Sequence, residues 1–182
     1  MATDLKISLR WRMRMWDSFA RFAAGVIARA ELRDPDFVIG EPGQPYLRRW
    51  WLLPRNPVFN IYLHQIIRSD QDRELHCHPW WNISIILRGL YIERMPMLAD
   101  QHPSMDEECS FDRLRAPMDV VFRRGGHRHR LFVDGAPCWS LFITGPRYRT
   151  WGFYCPKGFV PWFKFVDPSN HGKVGRGCGE MS

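Results

Sequence analysis

The sequence of 182 residues has no CxxC pair and no zinc-finger spacing among its five cysteines, Cys77, Cys109, Cys138, Cys155 and Cys178. That excludes a cysteine-built zinc module, and the odd number reads as free thiols in a reducing compartment rather than a disulfide framework. No apolar run is long enough to span a bilayer, and arginines interrupt every apolar stretch near the start, so no secretory signal pattern is present. The expectation is a cytoplasmic protein. An internal repeat is also missing, and fourteen prolines and fourteen glycines are spread among short apolar runs. This suits a turn-rich β protein and excludes collagen-like or disordered chains. Lysine is scarce: only Lys6, Lys157, Lys164 and Lys173 occur, so the formal charge of +7 is carried almost wholly by arginine. Much of that charge sits near the start, in Arg10, Arg12, Arg14, Arg21, Arg29 and Arg33, and gives no sign of a basic patch on a folded domain.

What is present divides into three parts. Residues 11–32 place Met15, Trp16, Phe19, Phe22, Val26 and Ile27 at helical spacing, with Arg12, Arg14, Arg21 and Arg29 largely off that stripe. An amphipathic helix or arm over 1–34 is expected, its apolar face packed on the domain or a partner subunit. From Asp34 the pattern turns to short runs broken by "DPD", "GEPGQP" and "LPRNP". Strands are expected at 47–53, 58–67, 79–88, 90–95, 118–123, 129–134, 138–144, 151–155 and 159–166, giving a β domain over 35–166. Met97 to Arg115 reads as a rim loop, and 167–182 as a flexible tail with little to bury.

The segment "HCHPWWNISIILRG", residues 76–89, sets His76 and His78 one residue apart at the start of an apolar run. In a strand, side chains at i and i+2 share a face about 6.6 Å apart along the chain. Two imidazoles can converge from there on one ion at about 2.1 Å each. Trp80, Asn82, Ser84, Ile86 and Arg88 follow on the same parity, while Cys77 points the other way. A second segment, "RRGGHRHRLFV" at 123–133, leads through a glycine turn into a strand opening with His129.

Together these segments resemble the two motifs of the cupin superfamily. His76 and His78 are followed after three residues by Asn82 and after six more by Gly89; Arg124, Gly126 and His129 occupy the places of Pro-x-Gly-x-x-His. The resemblance covers about residues 58–145. It implies a mainly β fold, an antiparallel double-sheet cupin barrel of jelly-roll type, here with the N-terminal amphipathic helix in front. It also implies a divalent transition metal held by His76, His78 and His129, with Asn82 standing where the family's glutamate ligand would be. Three histidines without a carboxylate are similar to the thiol dioxygenase branch, which favours ferrous iron; zinc, nickel, manganese and copper suit imidazole as well. His127 is a rival for the third arm.

An open position on such an ion points to an enzyme, most simply a non-haem iron oxygenase or dioxygenase acting on a small polar substrate. Zinc would instead suit hydrolysis. Arg88, Tyr62 and His64 are the candidate catalytic side chains, and Arg147 and Arg149 in "GPRYRTWGF" are candidate substrate anchors. The partner expected is a small molecule. Scattered arginines and the lack of a recognised motif argue against a nucleic-acid groove, despite nine tryptophans. The resemblance further implies a homodimer. A non-catalytic ligand-binding or interaction module is the alternative.

Overall fold

The computed structural model describes residues 2–41, 43–69, 74–97 and 110–179. The chain forms two units, Met1–Asp34 and Pro35–Ser182. The first contains one helix, α1 (Ala2–Glu31). It begins well before residue 11, because the leading segment carries no proline or glycine to interrupt it. Pro35 closes the region, since the residue before a proline is pushed out of helical geometry.

The second unit is built from antiparallel strands: β1 (Phe37–Glu41), β2 (Gln44–Trp51), β3 (Asn60–Ile66), β4 (Leu75–His76), β5 (Asn82–Arg88), β6 (Tyr91–Pro96), β7 (Ser110–Arg115) and β8 (Val120–Arg123). Then follow β9 (Arg130–Phe132), β10 (Cys138–Thr144), β11 (Gly152–Cys155), β12 (Gly158–Pro161), the short α2 (Trp162–Phe165), β13 (Val166–Asp167) and β14 (Asn170–Val174). One sheet runs in the order β1-β2-β3-β10-β5-β8. Two three-stranded pieces, β12-β11-β4 and β7-β6-β9, are joined into a second layer by an antiparallel bridge between His76 and His129.

Apolar side chains from both layers meet between them. Leu47, Ile66, Ile86 and Cys138 from the first sheet pack with Tyr91 and Val133 in one buried cluster. This is the double-sheet arrangement expected from the number of short strands, with β10 at the residues the apolar run marks out.

Several elements escape the sequence pattern. The expected strand over 79–88 starts only at Asn82, so His76 and His78 belong to β4 and the turn after it. Residues 110–115, read as loop, form β7 against β6, and their Cα partners run from Tyr91↔Arg115 to Pro96↔Ser110. The remainder of that expected loop, 98–109, lies outside the described residues. The segment from 167 is not a free tail as far as residue 179. β13 and β14 pair as a hairpin, and Cys155 is disulfide-bonded to Cys178. The expectation of five free thiols therefore fails for this pair, which lies 23 residues apart in sequence but 5.5 Å apart between Cα atoms. Cys77 and Cys138 are free and buried.

Gly89, the last residue of the first motif, turns the chain from β5 into β6. Its φ is +76°, and a Cβ built there would stand 2.5 Å from the Pro137 carbonyl oxygen. Both the left-handed backbone and the close approach require glycine. Gly89→Ala is expected to destabilise the domain by about 1–3 kcal/mol, read as a lowered urea midpoint with an unchanged slope. An unchanged midpoint would show that the turn relaxes without cost.

Candidate metal centre

His76 and His129 face each other through reciprocal backbone bonds: the His76 N–H donates to the His129 carbonyl at 2.9 Å, and the His129 N–H donates to the His76 carbonyl at 3.0 Å. The pairing continues at the His78 N–H, which donates to the Gly125 carbonyl at 2.9 Å. Gly125 is tightly placed, because a Cβ there would lie 2.8 Å from the His78 carbonyl oxygen and 2.7 Å from the Tyr148 hydroxyl. The glycine turn thus lets the second motif sit directly on the first. Alternation along the chain sends the His76 and His78 side chains to one side, and Cys77 is fully buried away from the cavity.

The result is three imidazoles whose ligand nitrogens all lie within 4.8 Å of one another. The Nε2 atoms of His78 and His129 are 3.3 Å apart. Two nitrogens at that separation, each about 2.1 Å from an ion, would subtend about 104° at it, close to the tetrahedral value. Burial, followed by the neighbouring His76 and Arg123, holds the pKa of His129 well below the ordinary histidine value; burial and the same neighbours do so for His78. The pair is therefore neutral near pH 7, the form that binds metal. Donor type and spacing in all three, and the protonation of His78 and His129, fit a divalent transition ion on His76, His78 and His129.

A second group, Glu93 with His127 and His129, is also close enough to be considered. Its carboxylate is already committed. Glu93 is fully buried, with Arg115 Nη2 at 2.7 Å from Oε2 and Arg123 Nε at 2.5 Å from Oε1. Arg123 also donates to Ser84 Oγ at 2.9 Å and to the Tyr91 hydroxyl at 3.0 Å. Burial alone would raise the Glu93 pKa, but the bonds and charges of Arg123 and Arg115 outweigh it and hold the group below the usual carboxylate range. A carboxylate clamped by two guanidinium groups is a poor ligand. Glu93 instead sets a negative charge 4.0 Å from His129 Nδ1 and 3.8 Å from His127 Nε2.

A cavity of about 300 Å³ opens on the triad. Its polar end carries the three histidines with His64, Arg49 and Arg123, and its walls are largely aromatic, among them Phe37, Phe142, Trp151, Phe153 and Trp162. Trp80 packs edge-on to His78, with ring centroids 5.5 Å apart.

Of the other residues singled out in the sequence, His64 lines this cavity and Tyr62 is buried beside it without lining it. Asn82 is fully buried, paired across the sheet with Thr144 and Arg123, and does not line the cavity. Arg88 is displaced from the parity expected for it. The register against β10 slips between Trp139 and Ser140, so that Ile86 and Leu87 are both buried and Arg88 is exposed over the Trp139 ring at 5.5 Å. Arg147 is exposed. Arg149 is half-buried, with its guanidinium in the space that a Cβ at Gly126 would occupy, and does not line the cavity. The cavity arginines that the sequence reading missed are Arg49, on β2, and Arg123, on β8. The one signal for Arg49 is its parity with buried Leu47, which places a guanidinium on the inner face of the strand.

No protein-family model matches the chain, and no curated protein matches it in sequence. Among solved structures, it is similar to the DMSP lyase DddQ from Ruegeria pomeroyi DSS-3, at 21% identity and a TM-score of 0.43 over 58% of this chain and 49% of that one. It therefore spans about half of that protein's length. The polyketide cyclase RemF from Streptomyces resistomycificus is similar at 18% identity and TM-score 0.43, over 59% of this chain and 70% of that one. A cupin superfamily protein from Desulfitobacterium hafniense DCB-2 is similar at 16% identity and TM-score 0.39, over 59% and 82%. These likenesses concern the arrangement of strands and do not extend to function.

Removing the Glu93 charge leaves two buried guanidinium groups without their counter-ion. Glu93→Gln is expected to cost about 3–5 kcal/mol near neutral pH. Because the folded pKa lies below the unfolded one, the wild-type advantage is present above the ordinary carboxylate range and fades as pH falls through the folded value. Urea denaturation of both proteins at neutral pH and at about pH 3 should show the gap narrowing in acid; a gap that stays constant would refute the assignment.

Proposed function

We propose that the chain is a metal-dependent enzyme of the cupin type, with His76, His78 and His129 holding a divalent transition ion. Ferrous iron is the preferred metal, and oxygenase or dioxygenase chemistry on a small molecule the preferred reaction. The observation that carries this reading is the convergence of three imidazoles from two separated segments, at ligand spacing, on the floor of a cavity. The donor set alone suits zinc, nickel, manganese and copper too; the choice of iron rests on the resemblance to cupins with three neutral histidine ligands. The same resemblance supports a homodimer as the working assembly.

Bound there, ferrous iron would supply dioxygen activation beside a coordinated substrate. The chain's own residues shape what happens around it. Trp80 and Phe142 fix the His78 ring, with centroids 5.5 and 5.8 Å away. Glu93 faces His129 Nδ1 and favours a proton on that nitrogen, which leaves Nε2 as the donor. The aromatic walls make the space over the triad largely apolar.

Elemental analysis of protein purified without chelator or an affinity tag, beside a His76→Ala/His129→Ala variant, tests the reading. About one equivalent of a transition metal is expected, lost in the variant, and oxygen uptake in the presence of substrate follows if the metal is iron. Wild-type protein that takes up no metal, even when reconstituted with ferrous iron and zinc, would overturn it.

A further inference from the structure

Beyond the triad, the cavity has a second polar feature, and it is cationic. Arg49 and Arg123 line it together with Lys173, and among the described residues no aspartate or glutamate does. Arg123 is paired with Glu93 and its other two nitrogens donate to Ser84 and Tyr91. Arg49 has no such counter-ion: among the described residues no carboxylate pairs with it, and its neighbours are a histidine and two rings. Its Nε donates to His64 Nε2 at 2.8 Å, and its guanidinium carbon stands 4.9 Å from the Tyr62 ring centroid and 5.9 Å from that of Phe37.

This arrangement leaves the two terminal nitrogens of Arg49 for a ligand. His64 is 5% exposed, and its pKa is held well below the ordinary value, first by burial and then by the charge of Arg49. It is neutral, so Nε2 accepts from Arg49 and the ring proton sits on Nδ1. Stacking of His64 against Phe142, with centroids 4.7 Å apart, fixes the acceptor in turn. Desolvation pulls the guanidinium down to about 10, yet it remains charged at neutral pH. An immobilised, desolvated cation in a cavity without an acid is an anion site awaiting its anion, and the planar fork of arginine matches a carboxylate in two-point fashion. The walls around it are apolar and aromatic, so the remainder of the ligand must be apolar as well.

We infer that the cavity recognises an organic acid with an aromatic or aliphatic body, its carboxylate bound by the terminal nitrogens of Arg49 and its body laid along the aromatic walls beside the histidine triad. This deepens the proposed enzymatic reading, on which it rests for turnover, and gives the small polar substrate expected there an apolar body. Arg49 is the residue that reads the acid. His64 is a positioning residue, holding Nε so that the other two nitrogens point into the cavity.

The test uses the full chain as purified, with metal content measured in the same samples. A panel of 3-phenylpropanoate, indole-3-propanoate and octanoate is titrated calorimetrically beside the corresponding amides. At least one acid should bind, and at least tenfold tighter than its amide. Arg49→Met should remove that preference while leaving metal content and the thermal midpoint near those of the wild type. Arg49→Lys, which keeps the charge and loses the fork, should retain only part of it, and His64→Leu should weaken acid binding without affecting the amides. Equal binding of acid and amide, an acid preference that survives in Arg49→Met, or no binding by any member of the panel would each overturn the inference. Because metal content is read separately, a protein without metal that still prefers acids would retire the enzymatic reading and keep the anion site.

Discussion

The reciprocal backbone bonds between His76 and His129 are the joint on which this domain turns. They link positions separated by more than fifty residues, and they are the only described pairing that joins the β12-β11-β4 piece to the β7-β6-β9 piece. Without them the second layer would be two small sheets, each too narrow to cover the face of a six-stranded sheet. With them it is continuous, and the two residues that form the joint are the ones that carry imidazoles into the space between layers. Completing the sandwich and assembling the triad are therefore one event. A ligand bridging His76 and His129 would stabilise the fold at the place where it is narrowest, in the manner of metals that couple binding to folding.

The charge arrangement around this joint holds the nearest carboxylate back from the three histidines. Asn82 stands in the motif position and is buried out of the cavity. The negative charge is supplied from β6 by Glu93, held between Arg115 and Arg123 and not free to ligate. The ion would then see three neutral donors and a fixed charge one layer behind them. Such a site leaves more net positive charge on the ion than a carboxylate-ligated one, and an anionic substrate would compensate it. Arg49 points to the same conclusion from the opposite wall.

The grouping of His76, His78 and His129 was legible in the sequence because each motif is local: a pair two residues apart, and a glycine turn followed by a histidine. The run from Cys138 to Thr144 was legible for the same reason, since it is apolar but for Ser140 and the closing Thr144. What escaped depended on partners far along the chain. β4 has two residues and no pattern of its own; it exists because His129 and Phe153 pair with it. Arg88 was assigned by counting parity from His78, and one extra residue in β5 opposite the Trp139–Ser140 step reversed it. Arg49 is brought to His64 by the β2–β3 register, which neither segment states by itself. The Cys155–Cys178 pair could not be read from spacing, because connectivity is set by the fold that brings the two together.

The segment after β12 shows why low apolar content is a weak guide to what a chain end does. Few residues after Asp167 could form a core alone, yet Trp162, Phe165 and Val166 before it, and Lys173 and Val174 after the hairpin turn, all contribute to the cavity wall. Phe165 stacks on Phe153 at 3.6 Å between centroids, and Phe153 in turn lies 6.1 Å from His76, so the wall built by this segment extends to the triad itself. The disulfide to Cys178 fixes the far side of the hairpin to β11, the strand that carries Phe153. Ordering of these residues is offset by closing a space rather than by filling one. The apolar character of that space is therefore set largely by residues outside the two motifs, so the motifs bring the three histidines together while the C-terminal segment shapes the space beside them.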